Sequence, residues 1–167
     1  MKNRIINILK EARNKNKQVF CIGNGGSHNN ASHMATDLFR TAGIKSFSLD
    51  NLSLITATIN DNGWENLYVY WLSRVFNKGD ILIIYSVHGG IGSDKAGLWS
   101  QNLIKAIDFF KKNSGITIGF CGFDGGLMKT ICDFCYISPY HTTPEVESDH
   151  SKISHEIAFA LKIGDRI

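Results

Sequence analysis

Residues 18–27, QVFCIGNGGS, decide the fold of this chain, because a short apolar run passes there through a glycine-rich turn. The run QVFCI has the length and composition of a buried β-strand. The pattern that follows the turn, from Ser27 to Ala42, is helical. A buried strand that leads directly into a helix predicts an α/β protein, and the rest of the chain repeats this alternation.

The remaining strands are predicted from four further apolar runs, at residues 46–49, 81–85, 116–121 and 134–137. These runs are short, apolar on both faces and bounded by glycine, which is typical of a parallel sheet covered on both sides by helices. The sequence therefore predicts a three-layer αβα sandwich in one domain, residues 1–167. The predicted helices cover residues 2–16, 27–42, 63–76, 98–112, 126–131 and 144–162, with a further helix that opens at 51–53.

Size and composition restrict the possible functions. With 167 residues and a net charge of +3, the chain can bury a core, and its charge is too small to indicate a nucleic-acid partner. No run of 18 apolar residues exists, so no membrane span is predicted. The basic N-terminus continues into an amphipathic helix and not into a signal peptide, so we expect a cytoplasmic protein.

The four cysteines are predicted to be core residues. Cys132 and Cys135 have a CxxC spacing, but a zinc site of that type needs a second pair and the sequence has none. Cys21 and Cys121 lie in apolar strand runs. In a reducing compartment such thiols act as small hydrophobic groups.

Glycine clusters follow three of the predicted strands, and ligands of parallel sheets bind outside the carboxyl ends of the strands. In the first cluster, residues 23–26, the glycines let backbone amides approach an anion, and the helix N-terminus adds partial positive charge. Ser27 either caps this helix or donates to a phosphate oxygen. Residues 86–93, SVHGGIGS, form a second such loop. Two anion-binding loops predict a phosphorylated small molecule between them, whereas the alternative is that they are tight turns.

His33 and Asp37 share one face of the predicted helix because they are four residues apart. Near the first loop, such a pair can hold a divalent metal or divide acid and base roles. The alternative is an exposed i,i+4 pair. The C-terminal helix carries a second group of possible ligands or acid–base residues: Glu147, Asp149, His150 and His155. The alternative interpretation is that a histidine of this group is an ordinary core residue with its polar atoms satisfied.

The stretch NDNG at residues 60–63 has two interpretations. It is a turn with a helix cap at Asn62, or Asp61 accepts a hydrogen bond from a sugar hydroxyl.

These motifs together resemble the sugar isomerase (SIS) domain family and, within it, the phosphoheptose isomerases. The resemblance rests on GNGGS at 23–27, His33, NDNG at 60–63, KGDIL at 78–82, DGG at 124–126 and His155. It implies a five-stranded, doubly wound, flavodoxin-like sheet. It also implies a homotetramer with active sites at subunit interfaces, to which the N-terminal helix, about residues 2–16, contributes. The implied reaction converts sedoheptulose 7-phosphate to D-glycero-D-manno-heptose 7-phosphate through an enediol, for lipopolysaccharide or capsule heptose, and the family often binds zinc.

The resemblance also assigns site residues. Asp37 and His155 fall on the catalytic positions, and Asp37 stands where the family has a glutamate. The implied metal ligands are His33, Asp37, Glu147 and His155, with Glu147 in place of a glutamine. A divergent branch associated with surface-polysaccharide genes is similar at both substituted positions. The implied substrate-binding residues are Asn24, Gly25, Gly26, Ser27, Asp61, Ser86, His88, Gly89, Gly90 and Ser93.

Two questions stay open at this point. Eight helical residues rise about 12 Å, so Glu147 and His155 meet one metal only if Glu147 precedes the helix proper or if the ligands come from different subunits. The loop at residues 86–93 has fewer hydroxyls than the family's phosphate loop. The alternative function is therefore a non-catalytic SIS module that binds a sugar phosphate or a partner protein and regulates. Because one fold serves both uses, the fold alone does not decide between them.

Overall fold

The computed structural model describes residues 1–90 and 100–163. The five strands are β1 Val19–Gly23, β2 Ser46–Ser48, β3 Ile81–Ser86, β4 Ile116–Cys121 and β5 Phe134–Ile137. The helices are α1 Lys2–Asn14, α2 Gly26–Arg40, α3 Leu52–Asn62, α4 Leu67–Val75, α5 Gln101–Lys112, α6 Met128–Ile131 and α7 Thr143–Ala160, with a 3₁₀ turn at Trp64–Asn66.

The strands form one parallel sheet in the order β2-β1-β3-β4-β5. Gly23 at the end of β1 lies opposite Tyr85 of β3. From β1 the chain continues to β2 at one edge of the sheet, and from β3 it continues to β4 and β5 at the other edge. The topological switch point therefore lies between β1 and β3. Open parallel sheets bind ligands at the carboxyl ends of the strands at such a point.

Each face of the sheet is covered by its own group of helices. Helices α1, α2 and α7 bury Ile5, Met34 and Ile157 against one face. Helices α4 and α5 bury Leu72 and Ile107 against the other face. All residues of β1 and β3 are buried, which is why their sequences are continuously apolar. The predicted three-layer α/β sandwich with a parallel sheet is confirmed.

The structure corrects several element boundaries. The predicted helix at 63–76 is a 3₁₀ turn followed by α4, and the predicted cap at Asn62 is wrong, since Asn62 is the last residue of α3. The cap is Gly63, which adopts φ 83°, a conformation that glycine reaches without steric cost. Residues 98–99 of the predicted helix 98–112 lie outside the described residues. Among the helices that the structure describes, none is long and apolar enough to cross a membrane.

The cysteines are all free thiols. Cys21 and Cys121 are buried, whereas Cys132 and Cys135 are only half-buried. The Sγ atoms of Cys121 and Cys135 lie 3.4 Å apart, close enough for one thiol to donate a weak hydrogen bond to the other. Burial raises the pKa of the Cys132 thiol to about 12, which keeps it protonated at neutral pH.

Candidate active site

A cavity of about 130 Å³, with several polar side chains in its lining, opens at the carboxyl ends of β1 and β3. It therefore lies at the switch point, where the glycine clusters predicted a ligand. Both loops border it, together with residues from the start of α5 and from α7. The lining residues are Asn24, Ser27, Tyr85, Ser86, Val87, His88, Gly90, Ser100, Leu103 and Glu147.

The first loop turns sharply from β1 into α2. A Cβ atom on Gly23 would lie 2.5 Å from the carbonyl oxygen of Ser27, so only glycine fits there. Gly25 adopts φ 56° and is the N-cap of α2, which has no side-chain cap. Ser27 is consequently inside the helix and does not cap it, because the helix begins one residue earlier than predicted. Its buried side chain lines the cavity instead.

The second loop is a compact turn after β3. Gly89 and Gly90 have φ values of 65° and 84°. The amide of Gly90 donates to Ser86 Oγ over 2.9 Å, and the amide of Gly89 donates to the Ser86 carbonyl. Because Ser86 Oγ accepts from Gly90, its own proton is the donor that it can offer to a ligand. Ser93, the last predicted residue of this loop, lies outside the described residues.

Asn102 belongs to the site although it was not predicted from the sequence. Its side chain and that of Asn24 exchange two hydrogen bonds, of 3.0 and 2.9 Å. Asn102 is fully buried on α5 and also accepts from the amide of Leu103. A usable signal existed, because residues 102, 106 and 110 share the buried face of α5 and only residue 102 is polar. Asn102 thus fixes the first loop from the neighbouring layer.

A second group of predicted site residues lies where α2 packs against α7. Asp37 is central: its Oδ2 is 3.0 Å from Nδ1 of His155, and its Oδ1 is 3.7 Å from Nε2 of His33. The two imidazole rings are edge-to-face, with centroids 4.8 Å apart. The side chain of Asp37 is 16% exposed, whereas both histidines are about half exposed. The predicted helical pair is therefore part of a three-residue cluster.

This cluster has the donor set of a divalent-metal site. One ligand atom from each of His33, Asp37 and His155 can be chosen so that all lie within 4.8 Å of one another. Two imidazoles and a carboxylate are ligands that zinc commonly takes in catalytic sites, where a further position stays open for water or substrate. The chemistry and the spacing of these three residues fit such an ion.

Glu147, the fourth predicted ligand, lies apart from the cluster. A Cβ atom on Gly26 would come 2.5 Å from either carboxylate oxygen of Glu147, so this side chain is at the start of α2, beside the cavity. Helix α7 begins at Thr143, and Glu147 is within it. The alternative that Glu147 precedes the helix is therefore wrong, and the rise of about 12 Å along α7 separates Glu147 from His155.

Two further predicted positions fall away from the cavity. Asp61 is exposed near the end of α3 and accepts from the Asn60 side chain over 2.7 Å. His150 is a core histidine: it is fully buried, and its Nε2 lies 3.1 Å from the carbonyl oxygen of Cys121. Burial lowers the pKa of His150. Within the described residues its Nδ1 has no hydrogen-bond partner.

Comparisons with known proteins agree with this geometry. The family model of the SIS domain matches residues 3–93. Phosphoheptose isomerase 2 of Campylobacter jejuni is 35% identical over 163 residues, which cover 94% of this chain and 76% of that protein. A phosphoheptose isomerase of Nitratiruptor is 33% identical and covers 89% of this chain and 78% of its own length. The solved structure of a phosphoheptose isomerase from Neisseria gonorrhoeae superposes with a TM-score of 0.85 at 21% identity, over 96% of this chain and 84% of that one.

Proposed function

Because the chain belongs to the SIS domain family and, within it, to the phosphoheptose isomerases, we propose that it interconverts sedoheptulose 7-phosphate and D-glycero-D-manno-heptose 7-phosphate. The observation that carries this proposal is the contact of Asp37 with His155. It joins α2 and α7, the two helices that also contribute Ser27 and Glu147 to the cavity. One pair of helices thereby supports a phosphate site and an acid–base group.

The isomerisation moves a hydrogen between C1 and C2 of the sugar through an enediol. Asp37 removes the proton from one of these carbons and returns it to the other, because its carboxylate is shielded from solvent and lies beside His155. His155 transfers the proton of the neighbouring oxygen, since its imidazole lies next to the same carboxylate. Such positioned acid–base groups contribute about 10²–10⁴-fold to a rate.

His33, Asp37 and His155 would hold a divalent metal, which we propose is zinc. Bound zinc polarises a carbonyl and stabilises the oxyanion of an enediol. A carboxylate that ligates a cation is a weaker base, so the two roles of Asp37 compete. Measurements with and without zinc therefore separate a metal-dependent site from one in which the carboxylate acts alone.

The phosphate is bound by the two glycine loops, with Asn24, Ser27, Ser86 and His88 as the side-chain donors. The carboxylate of Glu147 repels a phosphate at short range. Glu147 therefore faces the sugar hydroxyls and not the phosphate.

We further propose a homotetramer in the cytoplasm that supplies heptose for lipopolysaccharide or capsule. Support comes from Phe39 and Phe159, which are 60% and 57% exposed on α2 and α7, the helices that carry the cluster. A neighbouring subunit would cover these rings. The exposed Asp61 would bind a sugar hydroxyl in the site of such a neighbour.

The test is turnover of sedoheptulose 7-phosphate by the purified protein, with zinc and after chelation. We expect Asp37→Asn and His155→Ala to lose at least about a hundredfold in kcat. Asp108→Asn, an exposed carboxylate on α5 that pairs only with Lys112 in the described contacts, is the matched control. Metal content of the same samples tests the ligand set: no bound metal, together with no response of activity to a chelator, contradicts it.

No turnover by the unmutated protein under either condition would contradict the isomerase proposal for this substrate. Binding of the sugar phosphate without turnover would instead support the non-catalytic SIS module.

A further inference from the structure

Phe123 has a backbone conformation that its side chain disfavours. It lies in the turn after β4 and adopts φ 50°. Left-handed backbone is uncommon for residues other than glycine, and for an aromatic residue it is a strained conformation. Glycines surround it at positions 122, 125 and 126, so the turn is made of residues that adopt such angles freely. The strained conformation of an aromatic residue among glycines therefore points to a role of its ring.

The ring of Phe123 stacks on the imidazole of His88. Their centroids are 4.6 Å apart and their planes differ by 27°. The ring of His141 approaches Phe123 as well, at 6.3 Å and 66°. His88 lines the phosphate cavity, so the stack reaches the candidate site from the neighbouring turn.

The backbone of this turn is bound to the second loop on both sides of His88. The amide of Gly122 donates to the Val87 carbonyl over 2.9 Å, and the amide of Met128 donates to the Gly89 carbonyl over 3.0 Å. These bonds involve main-chain atoms only and do not need a ring at position 123. The turn would therefore remain attached to the loop with glycine there, and what the phenyl ring adds is the orientation of His88.

His88 adds a second side-chain donor to the described part of the second loop. Among its described residues, 86–90, Ser86 is the one that carries a hydroxyl. An imidazole offers a directional N–H donor that can reach a phosphate oxygen. Two rotatable bonds leave such a ring many orientations, and a stacked partner reduces them.

We propose that Phe123 is a positioning residue: its ring holds the imidazole of His88 at the phosphate cavity, where a ring N–H donates to a phosphate oxygen. This inference rests on the proposed function, because it assigns the phosphate of the substrate to that cavity. It adds a residue of the β4 turn that does not touch the phosphate but orients a donor of the second glycine loop.

The test separates the ring from the backbone. Phe123→Gly removes the ring and relieves the strained φ, Phe123→Tyr keeps the ring, and His88→Ala removes the donor. Binding of inorganic phosphate is measured by calorimetry, with thermal unfolding of the same samples. We expect Phe123→Gly to unfold at the same or a higher temperature and yet to bind phosphate about three- to tenfold more weakly.

Phe123→Tyr should bind as the unmutated protein does. His88→Ala should lose at least as much affinity as Phe123→Gly, and the double variant should lose no more than His88→Ala alone, because both changes act on one contact. In turnover, the KM of Phe123→Gly should rise by the same factor while kcat stays within about twofold.

Unchanged phosphate affinity in Phe123→Gly, or additive losses in the double variant, would overturn the proposal. If Phe123→Gly unfolds at a markedly lower temperature, the ring serves stability and the proposal is also wrong. Phosphate binding does not require turnover, so these outcomes remain separate from failure of the isomerase assignment.

Discussion

Replacement of Asn102 by alanine tests whether the first glycine loop is held from α5. The change removes the two hydrogen bonds exchanged with Asn24 and the one accepted from the Leu103 amide. At about 1 kcal/mol for each bond, the free energy of unfolding should fall by about 3 kcal/mol. For a chain of this size, that corresponds to a decrease of about 6–12 °C in Tm.

The same change should also weaken the site. Once the amide of Asn24 loses its buried partner, the loop between β1 and α2 is no longer fixed at the cavity. We expect phosphate to bind at least about threefold more weakly. Thermal unfolding followed by circular dichroism and phosphate titration of the folded protein measure the two effects on one sample.

Asn113→Ala is the matched control for this experiment. Asn113 follows the same helix but is exposed, and its side chain donates one hydrogen bond, to the Phe109 carbonyl over 2.7 Å. We expect the Tm of the control variant to decrease by about 2 °C or less. The reasoning is refuted if Asn102→Ala unfolds within about 2 °C of the control, or if it loses stability but binds phosphate normally.

Three further changes have clear expected outcomes. Glu147→Gln removes a negative charge from the cavity and should tighten phosphate binding about fivefold, for about 1 kcal/mol of repulsion; unchanged or weaker binding in calorimetry would contradict this. Gly23→Ala forces a Cβ atom against the Ser27 backbone. It should lower the free energy of unfolding measured in urea by about 1–3 kcal/mol and should also weaken phosphate binding. An unchanged urea midpoint would contradict the steric argument. Burial lowers the pKa of His150, so the unfolded chain binds a proton more readily, and stability should fall as the pH drops below about 6.5. Between pH 7.5 and 5.5, the Tm of His150→Gln should decrease less than the Tm of the unmutated protein. Equal decreases in the two proteins would exclude His150 as the cause.

The sheet could be predicted because short segments of the sequence determine which residues form its strands. The runs at β1 and β3 are buried on both faces, and glycines lie within a few residues of the end of each. Parallel strands with these properties bring their carboxyl ends together, so the first loop and Ser86 were predicted correctly to approach one another. The place where the two loops meet could be predicted from this rule alone, without knowing the order of the strands in the sheet.

Other parts of the site depend on distant pairings that no local pattern contains. Asn24 and Asn102 are 78 residues apart and meet only because β1 lies next to β3 and α5 covers them. The contact of Asp37 with His155 likewise requires α2 and α7 to pack on the same face. The φ of Phe123 could not be predicted either, since the sequence around it indicates a turn but not which residue takes the strained conformation.

The main-chain bonds between the second loop and the β4 turn have a thermodynamic consequence. A loop that is already fixed does not need to be ordered by its ligand, so less of the interaction free energy is lost on association. Phosphate binding to this protein should therefore be accompanied by a small change in heat capacity and by little change in amide hydrogen exchange at residues 86–90. On the proposed function, residues 86–90 would present a rigid template to the phosphate, and their contribution to selectivity among phosphorylated sugars would depend on the shape of the cavity.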